Sequence, residues 1–193
     1  MTENEMTLAI WADDTAAVKK FLDDGADVNA RGRDGTPLQL ALSAKGNSQV
    51  AELLIERGAN VNASGVSPLA LAASNAGYGY IISLLISKGA ADVDGAVISA
   101  VENGFVHYID MLMPHIKDLN AIKDENGKSL LTLAIDQSDA DMVSYLLARG
   151  ADASLKNGDE TLAQYAARRG QHIIEKVLTR AANAFAPSKL IKK

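Results

Sequence analysis

The chain has no cysteine among its 193 residues. That absence removes disulfides, thiolate nucleophiles and sulfur-based metal cages together. Aromatic residues make up only 5%, with a single tryptophan, Trp11, and proline occurs four times. Long apolar runs are missing too: the longest, near Ile81 to Ile86, is broken by Ser83 and cannot span a bilayer. Nor is base in excess. Lys and Arg total 19 against 24 Asp and Glu, and the imbalance lies before residue 98, where 12 acids face 7 bases. A chain of net charge -5 has no electrostatic grip on a phosphate backbone, so neither nucleic acid nor a membrane is expected as a partner. The opening Met1-Thr-Glu-Asn-Glu-Met6 is acidic where a secretory leader is basic and then apolar. As written, the chain is expected in the cytoplasm; a leader removed ahead of Met1 would place it in the periplasm or outside the cell.

What is present is apolar content of 48%, enough for a sizeable core, and it is periodic. Ala9, Ala41, Ala72, Ala100, Ala134 and Ala166 recur at intervals of 28 to 34 residues. Twelve or thirteen residues after each comes a second apolar position: Phe21, Leu54, Leu85, Leu112, Leu146 and Leu178. Glycine then follows at Gly25, Gly58, Gly89 and Gly150, where a left-handed residue ends a helix without steric cost. Each period reads as helix, tight turn, second helix and connecting loop. The small alanine lets two helices approach closely, and the second helix carries a leucine-rich stripe. One such pair cannot bury its own apolar face, so the periods must stack. The expected fold is an all-α solenoid of six repeats starting near residues 4, 36, 67, 95, 129 and 161. These form one domain over residues 1–186, followed by a short basic tail, 187–193.

Gly35-Thr-Pro-Leu-Gln-Leu-Ala41 followed by Leu53-Leu-Ile-Glu-Arg-Gly-Ala-Asn-Val-Asn62 resembles an ankyrin repeat. Pieces of the same pattern return in Ser67-Pro-Leu-Ala-Leu-Ala-Ala73, Leu22-Asp-Asp-Gly-Ala-Asp-Val-Asn29, Asp124 to Ala134 and Leu147-Ala-Arg-Gly-Ala-Asp152. The resemblance runs from Asn4 to about Leu178 and implies helix pairs joined by projecting β-turn fingers. Departures are visible. Ala44-Lys45 and Asn75-Ala76 each carry one residue more than the family spacing, so those turns should bulge. After Gly89 only five residues precede Gly95. The finger between repeats three and four has thus lost about six residues of a roughly 33-residue period and should be absent. Repeat four also has Pro114 near the end of its second helix, which predicts an early stop there.

Catalytic patterns fail one at a time. Gly127-Lys128-Ser129 ends like a phosphate-binding loop, but Ile122 stands where that loop needs glycine. Gly77-Tyr78-Gly79 lacks the third glycine of a dinucleotide fingerprint. His107, His115 and His172 are not at metal-ligand spacing, and the pair His107 and Asp110 reads as a surface helix pair. No Gly-x-Ser-x-Gly elbow is present. No cofactor and no metal are expected, and the chain is read as a non-enzyme. Asn62-Ala-Ser64 matches a glycosylation sequon but carries no weight without a secretory address.

The resemblance further implies a concave palm, built from finger tips and from the two positions after each paired alanine. Carried over residue by residue, the first-helix positions are Trp11, Ser43, Ser74, Asn75, Glu102, Asn103, Asp136, Gln137, Arg168 and Arg169. Finger positions add Arg31, Arg33 and Asp34. Tyr78 and Tyr80 sit beside the bulged turn and are candidate aromatic contacts, while Phe105 is expected in the core. The mixed charge of this set suits a folded protein partner. Inhibition or masking of one partner, possessed of its own activity, is the expected function; an adaptor joining two proteins is the alternative. The free chain is expected to be a monomer.

Overall fold

Small hydroxyl side chains open the first helix of four pairs. Thr36, Ser67, Ser129 and Thr161 each accept a hydrogen bond from the backbone N–H three residues on, which satisfies a donor that the first helical turn otherwise leaves bare. Pro37 and Pro68 follow immediately, where no N–H is needed. At Thr36 and Thr161 the glutamine three residues on returns a bond to the cap's own N–H. Aspartate does the same work elsewhere: Asp14 accepts from Ala17, Asp92 from Gly95 and Asp139 from Met142. These caps set where each helix begins and hence which way its faces point.

The computed structural model describes residues 3–44 and 48–185. Lys45, where an extra residue was expected, and the basic tail 187–193 lie outside the described residues. The chain divides into two compact units, Met1–Ile116 and Lys117–Lys193. In the first unit, α1 (Glu3–Trp11) pairs with α2 (Thr15–Asp23), α3 (Pro37–Ser43) with α4 (Ser48–Glu56), α5 (Pro68–Ala73) with α6 (Gly79–Ser87), and α7 (Val93–Glu102) with α8 (Val106–Leu112). First helices pack in a row, α1 on α3, α3 on α5 and α5 on α7. Second helices form a parallel row, α2 on α4, α4 on α6 and α6 on α8. Helix α8 stops at Leu112 and tightens into a 3-10 turn, Met113–His115, at the expected proline.

In the second unit, α9 (Leu130–Asp136) pairs with α10 (Ala140–Ala148) and α11 (Leu162–Arg168) with α12 (His172–Phe185). Here too like packs on like, α9 on α11 and α10 on α12. A two-stranded hairpin, β1 (Lys156–Asn157) and β2 (Glu160–Thr161), forms the finger ahead of α11, with Asn157 opposite Glu160. Isolated bridges Gly32 to Gly35 and Lys123 to Ser129 close two more fingers. From α6 to α7 the link is only residues 88–92 and, among the described residues, carries no bridge, as the shortened spacing predicts.

The core sits between the two rows of helices in each unit. Ala41, Ala72, Ala100, Ala134 and Ala166 are fully buried and Ala9 is 9% exposed. Leu54, Leu85, Leu112, Leu146 and Leu178 are buried as well, whereas Phe21 in the first pair is only half-buried. Loop-to-loop contact uses the backbone. The Asn29 amide donates to the Gly58 carbonyl at 3.3 Å and accepts from the Asn60 N–H at 2.7 Å. Asn62 repeats this on Gly89 and Ala91, both at 2.9 Å, and Asn120 repeats it on Gly150 and Asp152. The sequon at Asn62 therefore falls on a side chain whose amide is already committed to stacking.

Candidate functional site

The residues two and three positions after each paired alanine lie about 200° and 300° further round the helix, and most of them face away from the core. Trp11 is 54% exposed, and Ser43, Glu102, Asn103, Gln137, Arg168 and Arg169 are exposed too. Ser74, Asn75 and Asp136 are half-buried. Several of these are already held by local bonds. Ser43 Oγ donates to the Gln39 carbonyl and Asn103 Nδ2 to the Ser99 carbonyl, each at 2.8 Å. Asn75 Nδ2 donates to the carbonyls of Leu42, at 3.1 Å, and Leu71, at 3.2 Å. Its amide N–H groups thus join the end of α3 to the end of α5, a structural duty that the expected contact role did not foresee.

In the first unit a concavity lies beside Trp11. A cleft of about 660 Å³ runs between α1, Phe21 of α2, the finger through Gly32 to Gly35 and the start of α3. Arg33 and Asp34 stand exposed on its wall. Arg31, in the same finger, instead reaches to the following loop, donating to the Ser64 carbonyl at 2.9 Å and to Ser64 Oγ at 2.8 Å.

Two tyrosines need correction. Tyr78, expected as a contact, is 1% exposed. Its hydroxyl donates towards the Ala41 and Ala44 carbonyls at 3.1 and 2.7 Å. Its backbone N–H donates to Tyr108 Oη at 2.9 Å, and that hydroxyl donates to the Asn75 carbonyl at 3.1 Å. The Asn75 carbonyl lies in the turn with the extra residue and the Ala41 and Ala44 carbonyls lie at the end of α3; the two buried phenols bind all three. Gly79 follows so closely that a Cβ there would lie 3.6 Å from the Tyr108 ring. Nothing in the sequence but that extra residue signalled the relay. Tyr80 is exposed at 61%, yet it belongs to α6 in the second-helix row and donates to Glu52 Oε1 at 2.9 Å. The hydrogen bond to Glu52 and the charge beside it raise its pKa. Neither tyrosine joins the first-helix positions. Phe105, expected in the core, is half-buried with its ring edge-on to Tyr108.

In the second unit the first-helix ends carry a charged cluster. Asp136 accepts from Lys128 Nζ at 2.6 Å and from the Tyr165 hydroxyl, and Arg169 lies 3.7 Å away. Burial pushes the Asp136 carboxyl up, but the bonds from Lys128 and Tyr165 outweigh it and hold the pKa below the ordinary carboxylate value. The same contacts raise Lys128 and Tyr165, each chiefly through its hydrogen bond to Asp136. Arg168 grips Glu160 with two N–H groups at 2.8 and 3.3 Å, and both arginines sit over the Tyr165 ring, at 5.2 and 5.5 Å. Tyr165, 7% exposed, was absent from the expected set. Its placement one residue before the paired alanine turns its ring under the arginines, a signal that was legible in the register. Lys128, once a phosphate-loop candidate, sits in a turn where Asp124 accepts from the N–H groups of Asn126 and Lys128.

The cluster can orient charge for a partner but presents no nucleophile with a base. Among the described residues, no three His, Asp or Glu side chains are placed to share a metal ion, and no helix is long and apolar enough to cross a membrane.

Comparison with known proteins agrees with this architecture. The family model described as ankyrin repeats (3 copies) matches residues 6–96 and again 97–186. Among solved structures, an ankyrin repeat domain from Acinetobacter baumannii AYE is similar at 31% identity and a TM-score of 0.76, covering 93% of this chain and 98% of that one. The human ASB11 ankyrin repeat domain is similar in fold at 23% identity and a TM-score of 0.77, covering 91% of this chain and 82% of that one. No curated protein matches the sequence. With buried alanines in register, capped helix pairs and a family model matched twice along its length, the chain belongs to the ankyrin-repeat family.

Proposed function

We propose that this chain is a non-enzymatic binding module whose first-helix face docks one folded partner protein and masks it. One observation carries the reading: most of the positions two and three residues after the paired alanines remain exposed while the alanines themselves are buried, so the face is supported by the core without being consumed by it. Exposed Trp11 adds an aromatic anchor of the kind that dominates interface energetics. The pinned asparagines and the Asp136 cluster lower the ordering cost of binding, since their rotamers are already restricted. Ankyrin repeats generally act through protein contacts, which is consistent with a face of mixed charge and no reactive group.

The test uses the parent chain, Trp11→Ala and Asn103→Arg as baits in extracts of the native cell, followed by assay of the captured protein's own activity. Parent capture, with affinity reduced by about fivefold or more in each variant and partner activity suppressed on binding, is expected; fivefold corresponds to the roughly 1 kcal/mol that marks a significant interface residue. If both variants bind normally while Glu52→Lys, on the second-helix row, abolishes capture, the face is misassigned. A partner that keeps full activity in the complex, or two partners captured at once, replaces masking with an adaptor role.

A further inference from the structure

Asparagine precedes glycine three times, at Asn103-Gly104, Asn126-Gly127 and Asn157-Gly158. Glycine puts no Cβ in the way of its own nitrogen, which can then attack the side-chain carbonyl of the asparagine before it. Such asparagines are thermolabile. Attack requires a side-chain amide able to leave, a glycine N–H able to lose its proton and a backbone able to rotate. The three pairs differ on these conditions. The Asn103 amide donates to the Ser99 carbonyl at 2.8 Å, and the Gly104 N–H donates to the Val101 carbonyl at 3.2 Å. The Asn126 amide donates to Asp124 Oδ2 at 3.4 Å, and the Gly127 N–H donates to the Asp124 carbonyl at 3.0 Å. At the third pair, among the described residues, neither the Asn157 amide nor the Gly158 N–H has a hydrogen-bond partner. Space around Gly158 is open, since a Cβ there would meet nothing within 4 Å. The backbone is held in a hairpin with two residues in each strand, and so short a ladder opens readily.

We infer that Asn157 is a self-modification site, converted by attack of Gly158 into an aspartyl or isoaspartyl residue. The Gly158 nitrogen bonds to Asn157 Cγ and gives up its proton; the Cγ–Nδ2 bond breaks, and ammonia leaves with that proton. Solvent water then opens the cyclic imide at either carbonyl. One water is consumed, one ammonia is released, and nothing is oxidised or reduced. The new carboxylate lies opposite Glu160 across the hairpin, where like charges repel. Glu160 is the acceptor that holds Arg168, so two carboxylates contend for one guanidinium. The isoaspartyl form also lengthens the backbone of β1, which disturbs the pairing of Lys156 with Thr161, the cap of α11. Loss of one amide thereby resets the charge beside Arg168.

The full chain and Asn157→Gln are incubated at body temperature in mildly alkaline buffer made with heavy-oxygen water. Both are then digested at acidic pH, where attack is slow, and the peptides are weighed. Heavy oxygen is expected in the Asn157 peptide about fivefold or more faster than at Asn103 or Asn126, whose hydrogen bonds must first be released. Asn157→Gln should lose that uptake, and a chain unfolded in denaturant should react at all three pairs alike. In Asn157→Asp, the Arg168 side-chain N–H resonance should shift. Uptake first at Asn103 or Asn126, or an unlabelled Asn157, overturns the site. An Arg168 resonance unmoved in Asn157→Asp overturns its effect on the clamp. No partner protein enters this test, so it stands or falls apart from the masking function.

Discussion

At Tyr108 a single hydroxyl carries two jobs, accepting from the Tyr78 N–H and donating to the Asn75 carbonyl. Tyr108→Phe keeps the ring but strands both backbone groups in a buried site, and is expected to cost about 1 to 3 kcal/mol. Denaturant unfolding checks it; a loss below the resolution of that measurement would mean the relay is idle. Asp136 supplies the pH-dependent counterpart. Its pKa is depressed on folding, so its stabilisation is present above the ordinary carboxylate pKa and is lost as pH falls through the lower folded value. Because its partner Lys128 is 37% exposed, solvent screening reduces the effect, and Asp136→Asn should cost about 1 to 2 kcal/mol at neutral pH. The gap between parent and variant melting temperatures should narrow below about pH 4. A gap independent of pH would show that charge pairing at Asp136 is not what stabilises the cluster.

At the scale of the element, the turn between paired helices needs one left-handed residue. Gly104 and Gly170 supply it at φ 73 and 74°, while Asp13 and Ser138 hold the same register at φ 54 and 58° with a Cβ in place. Around Gly170 a Cβ would meet nothing within 4 Å, so substitution there tests backbone strain without crowding. Gly170→Ala should cost about 1 to 2 kcal/mol and Gly170→Asn less, because asparagine tolerates this conformation. Thermal melts of the two variants decide it, and equal stability would locate the cost elsewhere. The helix boundaries themselves were legible: Thr36-Pro37, Ser67-Pro68 and Ser129 announce caps before any coordinate is known. The inward turn of Tyr78 was not, since a residue at an insertion has no register to inherit.

For the molecule as a whole, stability is a sum over neighbouring pairs, so damage at one close contact should be felt beyond it. Ala72 in the first unit and Ala134 in the second are both fully buried. Leucine at either position overpacks a helix contact and should cost about 1 to 3 kcal/mol. Midpoints of chemical unfolding provide the measure; if both variants unfold with the parent, the register of the repeats is misplaced. The alanine period, the closing glycines and the short spacing after Gly89 were sufficient to set fold class, repeat number and the missing finger, because each depends on chain neighbours within one repeat. Which side chains remain free depends on contacts between repeats. Asn75 and Tyr78 were drawn inward by carbonyls some thirty residues away, Tyr80 was turned to the second-helix row, and the Tyr165 hydroxyl was committed to Asp136 of the preceding repeat. Local pattern determines a helix and its buried stripe, but a polar side chain goes to the partner that the stacked neighbour offers, and only the tertiary structure decides where that partner lies.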